Sequence, residues 1–307
     1  MSIKITATVE SYEQAHKLLE AGVDTLYFGE EKFGLRLPTS FSREEQVALI
    51  ELAHKHGKTA TVAVNGIMHP AKMKEVPDYL DFLAAHHVDQ ITVGDTGVIH
   101  VLREREDEIP YLYDGHTMVT SVRQINFWGK RGAIGAVIAR EVPFEELKQM
   151  APKLDIFGEI LVYGASCIHQ SKRPLVENYL SYIGNEHDKS KEAGLFLSEP
   201  RKGGTHYSIY EDSHGTHIFA NNDISLMNEL GQLFAHDYRH WKLDGIYTPG
   251  ETFVEIVSLF IEARQAIIDG TWTAERAEEL AEKVQALHPE ERGLDTGFFL
   301  LDPDEVK

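Results

Sequence analysis

Short runs rich in β-branched residues alternate with helix-length amphipathic stretches from residue 3 to residue 270, and no other property of the chain narrows its fold as sharply. "IKITATV" (3–9) reads as a strand and leads into a helix over 11–21 that opens at Ser11, a residue type suited to capping free N–H groups. "DTLYFG" (24–29) is the next strand. Ser42 then opens "REEQVALIELAHKHG", with Glu45 at capping-box spacing and Gly57 at the stop. The series continues through "KTATVAVN" (58–65), a helix over 72–86, "DQITVG" (89–94), "YLYDG" (111–115), a helix over 121–131 and "AIGAVIA" (133–139). A helix over 143–151 and "DIFGEILVYG" (155–164) follow. Residues 183–204 are polar and Gly-rich, and "THYSIYEDSHGTHIFANN" (205–222) predicts a β-hairpin turning at Ser213-His214-Gly215. A helix near 223–233, a strand over 238–245 and a helix over 250–270 restore the rhythm.

Eight such strands, with one β-hairpin insertion after the seventh, predict an α/β protein built on a parallel sheet. A closed (β/α)8, TIM-barrel-like form is expected ahead of an open doubly wound sheet. The barrel is expected over 1–270, its insertion over about 165–222, with 271–307 as a C-terminal helix and tail packed on it. "AGVDTLYFGE" (21–30) and "HHVDQITVGD" (86–95) echo each other, two β–α units apart, as a repeating barrel or a chance likeness of two junctions would show.

Thirty Lys and Arg against 49 Asp and Glu leave a net charge of −19, which repels a phosphate backbone at long range. Autonomous nucleic-acid binding is not expected; a local patch such as Lys172-Arg173 with Arg201-Lys202, or a partner chain, would have to supply it. One cysteine, Cys167, rules out an intrachain disulfide framework and fits a reducing, cytoplasmic setting. No apolar run reaches the roughly 18 residues of a membrane helix, and the first residues lack the regions of a signal peptide.

Zincin, α/β-hydrolase, P-loop and dinucleotide fingerprints are all missing. His236 and His240 feed a strand, where four residues span about 13 Å, and His214 and His217 flank a turn, so no metal site is expected from them. Barrel chemistry gathers at the C-terminal ends of strands, where Glu30, Asn65, Asp95, Arg140, Glu141, Lys242 and Asp244 fall, with Arg36 in a neighbouring loop. Asp95 could equally cap a helix, and Arg140-Glu141 could be a surface ion pair. Lys242 and Asp244 share one strand face, and a charged pair aimed into a barrel is harder to explain away. The candidates are therefore Lys242, Asp244 and Glu141 for catalysis and Arg36, Arg140 and Lys242 for binding an anionic substrate. Cys167 is open to three readings: a nucleophile, a relic of a metal site, or a small buried side chain.

"LVYGASCIHQSKRPLVENYL" (161–180) resembles the signature of the peptidase U32 family, in which a His/Tyr-Gly-small-x-Cys run precedes Ser-Gly-Arg-Cys and Leu-Ser-x-Tyr. "GVDTLYFGEEKFGLR" (22–36), "ARE" (139–141), "HIFANNDISL" (217–226), "WKLDG" (241–245) and "RGLDTGFF" (292–299) resemble its other landmarks, in order. The resemblance implies a barrel-like domain. Family members with an iron–sulfur cluster hold it through four cysteines, the first at Cys167; the others would fall at Pro174 and near Leu197 and Arg201. No cluster is then expected in this chain, and Cys167 becomes a remnant. The sequence is most similar to cluster-less family subunits tied to prephenate-dependent C5-hydroxylation of the tRNA wobble uridine. That implies a related cysteine-bearing partner that carries the cluster, tRNA met through the complex, and a small dicarboxylate such as prephenate at the cations above. The alternatives are a collagenase-like peptidase, with Asp244 and Glu141 as acid and base or metal ligands, and a non-catalytic scaffold subunit.

Overall fold

The computed structural model describes residues 2–115, 119–185 and 187–305. The first half of the chain runs β1 (Lys4–Thr8), α1 (Tyr12–Ala21), β2 (Thr25–Phe28), α2 (Arg43–Lys55), β3 (Thr59–Val64), α3 (Pro70–Met73), α4 (Val76–Ala85), β4 (Gln90–Val93) and α5 (Thr96–Arg103). It continues through β5 (Tyr111–Tyr113), α6 (Val122–Gly129), β6 (Ala133–Val137), α7 (Phe144–Met150) and β7 (Phe157–Gly164). After an insertion holding β8 (Cys167–Ser171), α8 (Leu175–Tyr182), β9 (Phe196–Leu197), β10 (Tyr207–Asp212) and β11 (Gly215–Phe219), the chain returns with β12 (Asn222–Ser225), α9 (Leu230–Ala235) and β13 (His240–Leu243). It closes with α10 (Gly250–Ile268), α11 (Ala274–Leu287) and β14 (Gly293–Asp295).

β1 to β7 pair in sequence order, all parallel, and β13 pairs with both β1 and β7, so the sheet closes into an eight-stranded barrel. Strands buried on both faces explain the nearly unbroken apolar runs: in β2 every residue is buried, in β3 all but the first. One continuous core joins the barrel to its helices, with Trp241, Tyr79, Phe253 and Phe260 among its largest members.

The helix starts follow the local chemistry. The Ser11 hydroxyl accepts from the Gln14 N–H, and Ser42 and Glu45 form a reciprocal capping box. The expected helix over 72–86 is two, α3 and α4, because Pro77 lacks the N–H that a helix interior needs and sits in the first turn of α4. The helix expected near 223 starts later: Asn222–Ser225 is strand, antiparallel to the end of β7, and only α9 beyond it is α-helical. The hairpin over 205–222 is present as β10 and β11, and tertiary pairing extends it to a four-stranded sheet ordered β8-β11-β10-β9. In the tail, α11 packs on α10, and β14 adds to β12 in parallel; residues 306–307 lie outside the described residues.

Candidate functional site

The C-terminal ends of the barrel strands surround a small polar pocket. Tyr27 reaches it from β2, Asn65 and Asp114 from just beyond β3 and β5, Arg140 and Glu141 from the loop after β6, and Lys242 and Asp244 from the end of β13. Arg36 arrives from the loop after β2. All five expected catalytic and binding residues, Arg36, Arg140, Glu141, Lys242 and Asp244, thus line one pocket. Of the other strand-end residues, Asn65 lines it too. Asp95 instead caps α5, accepting from the Gly97 N–H at 2.7 Å, and also takes the Met68 N–H. Glu30 is not among the lining residues.

Lys242 is 8 % exposed, and its ammonium lies 3.5 Å from the centre of the Tyr27 ring. Burial pulls the Lys242 ammonium down, but Tyr27, Glu159, Asp244 and Asp114 outweigh it and hold the group above its ordinary value. Glu159, on β7, is 3 % exposed and accepts from the Thr6 hydroxyl at 3.1 Å; burial pushes its carboxyl up, against the pull of Lys242. Asp244 is pinned by the Ile246 N–H at 3.1 Å. Asn65 is held between the Leu35 N–H, which its side-chain oxygen accepts, and Asp114, to which its amide donates at 2.7 Å. Tyr27 and Thr92 join hydroxyls at 3.1 Å, and burial pushes the phenol up.

The floor is therefore a polar network around one ammonium. The rim carries Arg36, Arg140 and Glu141, all half-buried. No ion pair joins Arg140 to Glu141 among the described residues, although the two are adjacent. Arg36 adopts a left-handed backbone at φ 53°, uncommon for a residue with a side chain, and donates to Gln170 of β8 at 3.0 Å. The insertion sheet thereby touches the pocket through Arg36. Strain of this kind, on the order of 1–3 kcal/mol, persists where surrounding structure enforces it, and such places cluster at ligand sites.

Tyr27, Asp114 and Glu159 were missed as pocket or network residues. Asp114 stood at a strand end like the residues chosen, and Glu159 broke an otherwise apolar strand; both signals were present in the sequence. Tyr27 inside "DTLYFG" carried none.

Among the described residues no cluster of His, Cys, Asp and Glu is placed to hold a metal ion. His240 stacks on Phe157, and His236 contacts the Gln232 carbonyl and the Phe144 ring. At the positions where cluster-bearing relatives would have further cysteines, Pro174 precedes α8, Leu197 is exposed on β9, and Arg201 is a cation. A four-iron cubane needs four thiolates or close substitutes, and this donor set does not fit one.

Fold and pocket together define a β/α-barrel protein with a cation-and-carboxylate pocket on the face where barrels carry chemistry. The sequence profile of peptidase family U32 matches residues 10–307, and the chain belongs to that family. It is similar to a Bacillus subtilis protein named tRNA hydroxylation protein P2, with 35% identity over 289 residues that span 93% of both chains. The B. subtilis tRNA hydroxylation protein P1 is 27% identical over 84% of this chain and 62% of its own length. Among solved structures, the octameric ribulose-1,5-bisphosphate carboxylase/oxygenase of Pyrococcus horikoshii matches 92% of this chain and 63% of its own at a TM-score of 0.52 and 12% identity, a likeness of fold alone.

Proposed function

We propose that this chain is a subunit in the C5-hydroxylation of the tRNA wobble uridine, working beside a related family chain that carries the redox cluster. The observation that carries this reading is the pocket itself, two rim guanidiniums above a buried ammonium, in a chain alike over nearly its full length to a tRNA hydroxylation protein. Prephenate has two carboxylates, which suit planar guanidiniums at the rim. Lys242 lies deeper and is engaged by Tyr27, Glu159 and Asp244, so its part is to set the charge of the pocket floor. Asp244 and Glu141 line the pocket, and the reading gives them the proton transfers near a bound acid. The net charge of −19 assigns most of the tRNA contact to the partner, and a single sulfur donor assigns the electrons to it as well. Such a protein works in the cytoplasm, where tRNA is.

Deleting the gene while leaving its partner intact, and measuring 5-hydroxyuridine derivatives at the wobble position by mass spectrometry, tests this. Loss of the modification, restored by the wild-type chain and not by Arg140→Gln, is the expected result. Unchanged modification in the deletion strain would sink it. A second reading, peptide hydrolysis, draws on 21% identity over 97% of this chain to a protein of Porphyromonas gingivalis named collagenase. Cleavage of gelatin or a peptide library by the pure chain, abolished in Asp244→Asn, would favour it.

A further inference from the structure

Cys167 stands on β8, beside two groups that the barrel pocket does not use. The insertion sheet places β8, β11 and β10 side by side, with Phe219 opposite Cys167 and His217 opposite Tyr210. Thiol, imidazole and carboxylate thus come from three adjacent strands: Cys167, His217 and Asp212. The His217 side chain is wholly buried; its Nε2 lies 2.9 Å from Asp212 Oδ1, and the Tyr210 ring stacks on it at 4.8 Å. Its Nδ1 is buried with no hydrogen-bond partner among the described residues, and such a nitrogen requires a reason. Cys167 pairs with Phe219, two residues along β11 from His217, and its own hydrogen points to the His169 carbonyl at 3.3 Å.

The electrostatics agree with this geometry. Burial pushes the Cys167 thiol up, but His217, Arg36 and Arg140 outweigh it and hold the thiol below its ordinary value. Burial pulls His217 down, and Asp212 and Cys167 more than restore it. Arg36 and Arg140 also line the barrel pocket, so the same guanidiniums act on the thiol and on the pocket.

We propose that Cys167 is a nucleophile toward small, carboxylate-bearing carbon electrophiles, with His217 as its base and Asp212 orienting the imidazole. A nucleophile, a base and a group that holds the base are the three parts such chemistry requires. The thiol proton passes to His217, and the sulfur attacks a carbonyl carbon. One C–S bond forms, the C=O π pair moves onto oxygen, and the imidazolium returns its proton there. The adduct needs no oxidant and no leaving group. Arg36 and Arg140 hold the carboxylate. That selectivity rests on the anion reading of the pocket; the activation of the sulfur does not.

The full-length protein is treated with iodoacetate and with iodoacetamide between about pH 5 and 9, and the label on its one cysteine is followed by mass spectrometry, with rates normalised to glutathione. Alkylation is expected to begin at lower pH than that of glutathione. Normalised rates should favour iodoacetate by about tenfold, the effect of one charge-assisted hydrogen bond. His217→Gln and Asp212→Asn, each checked by circular dichroism, should move the onset upward. Arg36→Gln should abolish the preference for iodoacetate and also raise the onset, since Arg36 is one of the charges that hold the thiol down. The relay variants, by contrast, should raise the onset and keep the preference. Labelling only in denaturant, or an onset indifferent to both relay variants, overturns the nucleophile. Equal normalised rates for the two reagents overturn the anionic electrophile. Retained wobble modification in the deletion strain would count against the tRNA reading without moving any of these rates, so the two ideas fail separately.

Discussion

Lys242 decides how much of the site can be changed without losing the protein. Its ammonium is the cation that holds Glu159, Asp244 and Asp114 in a water-poor floor. Lys242→Met should destabilise the fold, because it removes the cation whose field offsets these buried carboxylates. Adding Glu159→Gln should recover part of it, both read from urea midpoints. Loss of activity in a Lys242 variant therefore has to be separated from loss of folding, which the rim variants avoid. His240 gives a pH signature of its own. Burial, then the Lys4 ammonium, pull its imidazole from 6.5 down to about 4. The folded state refuses a proton that the unfolded chain accepts. The stability it supports is full above pH 6.5 and is lost as pH falls toward 4. His240→Phe, which keeps a ring against Phe157, should flatten the decline of the melting temperature over that window. Lys242 and Asp244 could be picked out by their spacing along one strand. Asp114 and Glu159 left local signals too, but their grouping with Tyr27 around Lys242 could not be read, because strand neighbours far away in sequence bring them together.

At the scale of elements, the echo between residues 21–30 and 86–95 has a structural cause. Gly22 and His87 both turn the chain through the left-handed region, at φ 110° and 57°. The acid two residues on then ties its strand to the preceding one: Asp24 accepts the Ile5 N–H at 3.0 Å, and Asp89 the Ala60 N–H at 2.8 Å. Each acid also meets a base near α2: Lys58, just before β3, pairs with Asp24, and His54 on α2 with Asp89. Gly164 is a second such element. It ends β7 at φ 126°, and a Cβ there would lie 2.3 Å from the Asp244 carbonyl. Gly164→Ala should cost more than about 1 kcal/mol and shift Asp244, seen as a lowered thermal midpoint. The strands, the caps and the hairpin could be read locally because period and capping chemistry are local. The break between α3 and α4 was missed although Pro77 announced it. The strand β12 was missed because its partners, β7 and β14, lie far off in the chain.

On the scale of the whole molecule, one side chain fastens the tail. Arg292, 6 % exposed, donates to both carboxylate oxygens of Asp223, to the Ala220 carbonyl and to Ser208, and lies 4.5 Å from the Tyr247 ring centre. It joins the tail, β12, the insertion sheet and the loop after β13. Arg292→Met should cost about 3–5 kcal/mol by stranding Asp223, and Arg292→Met with Asp223→Asn should regain part of that in the same unfolding titration. The strand–helix alternation of the barrel, its closure into a parallel α/β barrel, the family and the five principal pocket residues could be inferred from residue order, the α3–α4 break and β12 excepted, since alternation, caps and strand-end positions repeat over short distances. What only the folded chain decided was which distant groups share a dry space: Glu159 and Asp114 beneath Lys242, His217 and Asp212 beside Cys167. Burial and field strength depend on neighbours in three dimensions, so the chemistry of a lone cysteine was beyond any reading of its own segment.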